Sequence, residues 1–161
     1  MGADLDKIKL FFKLYSLLFY TPSQDLIEEA KSIAIALSEK WIIDLLDNTP
    51  LEKLRQEYTK TFSIRGSCRP YESYYREGLV YGNTSVEIKK YYESKGYTIA
   101  LENELPDHIS VELEYLSLSL DKFFMNRFKE WFALFVKDLE KCSNLYHKLA
   151  LRLLEELEKL N

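Results

Sequence analysis

Thr21-Pro22-Ser23-Gln24-Asp25-Leu26-Ile27-Glu28-Glu29-Ala30 is the stretch that decides the fold. A hydroxyl at Thr21, a proline next to it and Gln24 three residues on form a capping box. In such a box the hydroxyl accepts a first-turn N–H while the amide side chain reaches back. Leu26, Ile27, Ala30, Ile33, Ala34 and Leu37 then recur at spacings of three and four, the period of a helix with one buried face. The device appears twice more. Thr49-Pro50-Leu51-Glu52 precedes the stripe Leu51, Leu54, Tyr58 and Phe62. Thr84-Ser85-Val86-Glu87 precedes a segment that stops at Gly96, a natural left-handed C-cap.

The same period extends outward on both sides. Leu5, Ile8, Phe11, Phe12, Tyr15, Leu18 and Phe19 share one face of an opening helix, and residues 41–46 form a further short helix or a kinked continuation. Asp107 is read as the N-cap of a buried helix carrying Ile109, Leu113, Leu116, Leu120 and Phe123. Phe128, Trp131, Phe132, Phe135 and Leu139 mark the next helix; Leu145, Leu149, Leu153, Leu157 and Leu160 mark a closing one. Residues 63–83 and 97–106 read as irregular. The expectation is an all-α, single-domain bundle of seven or eight helices spanning residues 1–161, with no repeat and no linker.

Composition agrees. A chain of 161 residues holds one core, and its 5 Gly and 4 Pro are too few for a turn-rich β fold. Aromatics make up 14%, including 12 Tyr, which supplies rings both for a core and for lining a groove. A net charge of −4 without a basic tract excludes nucleic acid as a partner. The apolar residues 10–12 and 17–20 are divided by Lys13 and followed by no cleavage site, so neither a signal peptide nor a membrane span is expected. Cys68 and Cys142 form no C-x-x-C pair and are read as free thiols of a reducing cytoplasm, where the protein is expected to reside. Arg65 and Arg69 flank Cys68 and favour its thiolate, although an ordinary loop cysteine is the plainer reading.

Templates for catalysis are missing: the chain has no G-x-S-x-G elbow, P-loop, H-E-x-x-H or dinucleotide fingerprint. No catalytic residue and no cofactor is expected. Of two histidines, His147 reads as exposed and idle. His108 reads as an exposed helix start, disfavoured as a cation by the helix dipole and favoured by Glu112 one turn on. On that reading, replacing it changes stability by no more than about 1 kcal/mol. His108 and Glu112 with Asp107 or Glu104 lack a second His or any Cys, so no metal site is expected. Between residues 96 and 121 lie Glu102, Glu104, Asp107, Glu112, Glu114 and Asp121 with no Lys or Arg, a local negative field suited to a basic partner.

Two strings carry a resemblance. Pro70-Tyr71-Glu72-Ser73-Tyr74-Tyr75 resembles the P-Y-E-S-x-Y element of the molybdoenzyme-assembly (TorD/DmsD/NarJ-like) chaperones, also called redox enzyme maturation proteins. Leu105-Pro106-Asp107-His108-Ile109-Ser110-Val111-Glu112-Leu113-Glu114-Tyr115-Leu116 resembles their P-D-H element with its following E-L-E. Glu57-Tyr58 with Phe62, Tyr91-Tyr92 before Gly96, and Trp131 with Phe135 match in order and spacing. The match runs over residues 5–160, and Arg127-Phe128 departs from an expected H-L.

The resemblance implies an all-helical fold, as a monomer or a helix-exchanged homodimer. It also implies a cytoplasmic chaperone that binds the twin-arginine leader, and the body, of a molybdopterin-containing oxidoreductase subunit until its cofactor is inserted. It implicates Tyr71, Glu72, Ser73 and Tyr75 from the first string, and Pro106, Asp107, His108, Glu112 and Glu114 from the second. Glu72 and Glu112 have two readings, as client contacts or as structural acids buried against helix ends or tyrosine hydroxyls. Two other functions stay open: a small hydrolase using paired carboxylates with His108, and a helical adaptor with an unrelated partner.

Overall fold

The computed structural model describes residues 2–99 and 104–160. These hold nine helices: α1 (Gly2–Leu18), α2 (Gln24–Ala36), α3 (Lys40–Asn48), α4 (Leu51–Phe62), α5 (Glu72–Glu77), α6 (Asn83–Ser94), α7 (Ile109–Ser119), α8 (Lys122–Cys142) and α9 (Asn144–Lys159). The all-α expectation holds, with two differences in count. Ser38 takes a left-handed φ of 58° and separates α3 from α2. The six residues of α5 lie inside the stretch read as irregular, because one and a half turns are too few to display a helical period.

The three capping boxes start helices, but other groups do the capping. Ser23, not Thr21, caps α2 by accepting the Leu26 N–H at 3.3 Å. Thr49 turns back to donate to the Leu45 carbonyl, and α4 begins after Pro50, whose extended ψ of 146° sets it outside the helix. At α6 the Glu77 carboxylate accepts the N–H groups of Asn83 and Thr84, both at 2.9 Å, while Thr84 and Ser85 are buried. Gly96 has the expected left-handed φ of 86°.

α7 is the central helix. Its residues 109–113 are all buried, as are Tyr115, Leu116 and Ser117, which explains a run with little polar face. Small side chains let α1 approach it closely: Ser16 Oγ donates to the Ser110 carbonyl at 2.8 Å and Ser110 Oγ to the Ser16 carbonyl at 2.7 Å. On its other side lies α8, which buries Phe128, Trp131, Phe132, Phe135 and Leu139 as the stripe required. Phe19, just past the end of α1, joins Phe62 of α4, Phe135 of α8 and Tyr146 of α9 in one aromatic cluster, Phe62 and Tyr146 edge to face at 4.9 Å. Two apolar residues leave their expected faces. Leu5 is 49% exposed, and Phe123 starts α8, 67% exposed, instead of closing α7.

Cys68 and Cys142 are not free thiols. Packing of the segment after α4 against the end of α8 brings their Cα atoms to 6.3 Å, and the two are joined as a disulfide. Arg69 activates no thiolate. Its guanidinium instead donates to the Gly66 and Ile64 carbonyls, at 2.7 and 2.9 Å. None of the described helices is long and apolar enough to cross a membrane.

Candidate functional site

The two strings singled out in the sequence meet. Ile109 N–H donates to the Pro70 carbonyl at 2.9 Å and Glu72 N–H to the Asp107 carbonyl at 3.1 Å, a short antiparallel bridge centred on Tyr71 and His108. This bridge ties the start of α5 to the start of α7. Asp107 reinforces it: Oδ2 accepts the Ser73 N–H at 2.8 Å and Oδ1 the Ser85 hydroxyl at 2.6 Å. Asp107 therefore caps α5, across the seam, and not α7 as its position in the chain suggested.

His108 is the cap of α7. Its Nδ1 accepts the Ser110 N–H at 3.0 Å, so the ring is neutral with its proton on Nε2. Far from being an exposed helix start, His108 is 1% exposed, wedged edge to face against Tyr20 and Tyr71. Burial lowers its pKa to about 3. Nε2 points toward Glu104 Oε2 at 3.8 Å, beyond hydrogen-bonding distance. Glu112 offers His108 no charge, because its side chain turns to α8, where Oε1 accepts the Trp131 indole N–H at 3.0 Å.

Beneath the bridge lies a buried ionic network. Glu72 is fully buried and its Oε2 accepts from Nε of both Arg76 and Arg127, the latter at 2.7 Å. Arg127, the residue standing where the resemblance expects histidine, is thus the counter-ion of a buried carboxylate. Glu112, also fully buried, is pushed well above the ordinary carboxyl range by burial and then by neighbouring Glu72. Paired carboxylates do exist, as a hydrolase would need, but they are sealed from solvent and committed to Arg76, Arg127 and Trp131.

Five of the nine implicated residues, namely Glu72, Ser73, Asp107, His108 and Glu112, are at most 1% exposed. They hold the seam together and present no surface to a partner. Tyr71, Tyr75, Pro106 and Glu114 keep partial exposure. Tyr75 donates to Asp138 at 2.6 Å with its ring stacked on Trp131. The Pro106 carbonyl accepts the Tyr92 hydroxyl at 2.9 Å.

The acid-only stretch is less naked than its sequence. Lys13 of α1 pairs with Glu114 at 2.8 Å, and Asp121 accepts the Tyr91 and Tyr115 hydroxyls, both at 2.6 Å. Glu102 lies outside the described residues. Glu104 remains: its Oε1 accepts the Tyr71 hydroxyl at 2.7 Å, and burial, ahead of other causes, lifts its carboxyl above the usual range. Among the described residues no group of three or more His, Cys, Asp or Glu side chains is placed to hold a metal ion.

Two grooves meet at residues 97–99. One, of about 340 Å³, runs between α1 and α7 and is mostly apolar, lined by Leu17, Tyr20, Tyr97, Ile99, Val111 and Tyr115. The other, open and about 870 Å³, is lined by Tyr71, Tyr81, Val86, Tyr97, Glu104 and Pro106, with Lys89 and Glu93 at its edge. Tyr81 is 73% exposed and held at a left-handed φ of 70°, a costly conformation for an aromatic residue.

In the sequence Glu104 carries no role beyond the acidic field and a discarded metal set, and Arg76 carries none at all. The only signal for them was their nearness to the first and second strings.

Residues 23–148 match the family model of the nitrate reductase delta subunit. Comparison with curated proteins finds no match. The solved structure of a candidate redox enzyme maturation protein from Archaeoglobus fulgidus superposes with a TM-score of 0.86 at 36% identity, over 93% of each chain. With the family model spanning most of the chain and that structural relative sharing its whole architecture, this chain belongs to the nitrate reductase delta subunit family of redox enzyme maturation chaperones, which are not catalysts.

Proposed function

We propose that this protein is a cytoplasmic chaperone for a nitrate reductase-like, molybdopterin-containing oxidoreductase subunit, and that it binds the subunit's twin-arginine leader and holds its body during cofactor insertion. The observation that carries the reading is the junction of the two grooves. A leader of this kind sets adjacent arginines beside an apolar stretch. The open groove offers the Glu104 and Glu93 carboxylates among tyrosine rings, which suit guanidinium by charge-assisted hydrogen bonds and by stacking. The adjoining apolar groove is large enough for two or three aliphatic side chains. Tyr71 lines the open groove directly, whereas Asp107, His108, Glu72 and Glu112 act through the seam that positions it.

Titration calorimetry with a synthetic leader from the subunit encoded beside this chain tests the reading. Micromolar or tighter binding that is lost on scrambling the apolar stretch supports it. If neither the leader nor the intact subunit binds, the chaperone–client assignment fails.

A further inference from the structure

Four carboxyl oxygens are buried where α5, α7 and α8 converge, and two of them have a conventional donor. Glu72 Oε2 takes Arg76 and Arg127, and Glu112 Oε1 takes Trp131. Glu72 Oε1 and Glu112 Oε2 are sealed from water and have no hydrogen-bond donor. Their partners Arg127 and Trp131 stand one turn apart on α8, which brings the two acids side by side, and Glu72 is the charge that most raises the Glu112 carboxyl. Two carboxylates cannot bond without a proton between them, and burial multiplies the repulsion if that proton is missing. One proton completes the set.

We propose that Glu112 is a protonated carboxylic acid that donates from Oε2 to Glu72 Oε1, and that this single proton latches α5, with Tyr71 at its cap, onto α7. The surrounding charges assign the proton to Glu112. From α5, Arg76 faces Glu72; from α8, Arg127 faces Glu72 and Trp131 faces Glu112. Both guanidiniums stand at Glu72, whereas Glu112 has the neutral indole. Asp107, from the turn before α7, adds negative charge and favours the neutral acid at Glu112. Tyr92 of α6 is fully occupied with the Pro106 carbonyl, while Glu87 and Glu130 lie on the outer side of the guanidiniums. Glu112 is accordingly a positioning residue: it touches no client and sets the placement of the helix that does.

The pH sense follows from linkage. Glu112 binds its proton more tightly folded than unfolded, so the stability it gives is complete below the ordinary carboxyl range. That stability is lost as pH rises toward the raised folded value, by up to about tenfold in the folding constant per pH unit. Glu112→Gln keeps both bonds, since an amide accepts from Trp131 and donates to Glu72, and has no proton to lose.

The decisive measurement is the infrared carbonyl stretch of a protonated carboxylic acid in the intact protein. Wild type should keep one such band at neutral pH, and Glu112→Gln should lack it. Above the range where His108 contributes, urea denaturation should show a decline with rising pH in wild type that Glu112→Gln lacks. If wild type shows no protonated-acid band at neutral pH, the latch is wrong, and this reading stands even if the variant fails to fold. A folded Glu112→Gln that retains the wild-type pH slope also overturns it. The further expectation, that leader affinity falls with rising pH in wild type alone, rests on the proposed function. Should the leader not bind at all, the infrared and denaturation results still decide the latch.

Discussion

Tyr71 and His108 face each other across the antiparallel bridge that joins α5 to α7, their rings edge to face at 5.1 Å. The pairing converts two strings far apart in the chain into one surface. Tyr71 reaches outward to Glu104, while His108 turns inward to cap α7. What sits in the groove and what holds the groove in shape are therefore alternate residues of one bridge.

His108→Ala should destabilise the protein by about 2–4 kcal/mol, more than a surface substitution. It removes the α7 cap and leaves a void between Tyr20 and Tyr71. His108→Asn, which keeps a side-chain acceptor, should recover part of the loss. Because the histidine pKa falls to about 3 on folding, its contribution is present above the unfolded value of 6.5. That contribution is lost as pH falls through the interval between them, by up to about 1.4 kcal/mol per pH unit. Urea denaturation at several pH values should show a shallower acid limb in His108→Asn than in wild type.

Arg127→Ala should cost about 2–3 kcal/mol. Removing one partner of a buried ion pair typically costs about 3–5 kcal/mol, and Arg76 remains at the same Glu72 oxygen to hold part of it. Arg127→His should cost less at low pH, where the imidazolium restores a charge, and approach the alanine value above its titration. Thermal melts of both variants across pH measure the difference.

Reduction of Cys68–Cys142 should lower stability by about 4 kcal/mol if the loop-closure model applies, since the bond spans a sequence separation of 74. Fold and helix content should survive, because the aromatic cluster around Phe62 and Tyr146 already joins α4 to α9. Circular dichroism and denaturation with and without a strong thiol reductant check both halves. A free-thiol assay on denatured, unreduced protein should find none.

The legibility of these features tracks the range of the interactions behind them. Long helices announce themselves because each needs one apolar face: α8 buries the whole stripe its spacing marked, α4 buries Leu54 and Phe62 of its own, and α9 buries Leu149, Leu153 and Leu157. The caps were misassigned by residues because the box motif is local, whereas Glu77 and Asp107 cap helices other than their own. The site strings were legible, but the burial of their acids was not: a sequence shows charge without showing what faces it. Arg127 and Lys13 lie on other helices and neutralise Glu72 and Glu114 only in the fold. The disulfide is illegible for the same reason, as nothing in the spacing of Cys68 and Cys142 says that the end of α8 packs beside the loop after α4.

Client binding should carry its salt sensitivity at Glu104. Glu112, buried and partnered by Trp131, offers no surface to a leader arginine. Glu104 lines the open groove with only part of its acceptor capacity taken by Tyr71 and its own neighbour Leu105. Burial holds its carboxyl above the ordinary range, so an incoming guanidinium relieves a desolvated charge and gains from doing so. Glu104→Gln should therefore weaken leader binding at low salt and flatten the salt dependence, since the Debye length shrinks from about 10 Å at 0.1 M to about 3 Å at 1 M. Tyr71→Ala should weaken binding at every salt concentration, because it removes ring surface as well as the hydroxyl that orients Glu104. Tyr71→Phe separates the two effects, and its loss should resemble a mild form of Glu104→Gln. Replacing both leader arginines by lysines should cost wild type more than Glu104→Gln, as a planar guanidinium grips a carboxylate in two places and an ammonium in one. Calorimetric titrations of the four proteins against both peptides at two salt concentrations supply the comparison. Equal salt slopes for wild type and Glu104→Gln would remove Glu104 from the interface and move the charge contact to Glu93 at the groove's edge.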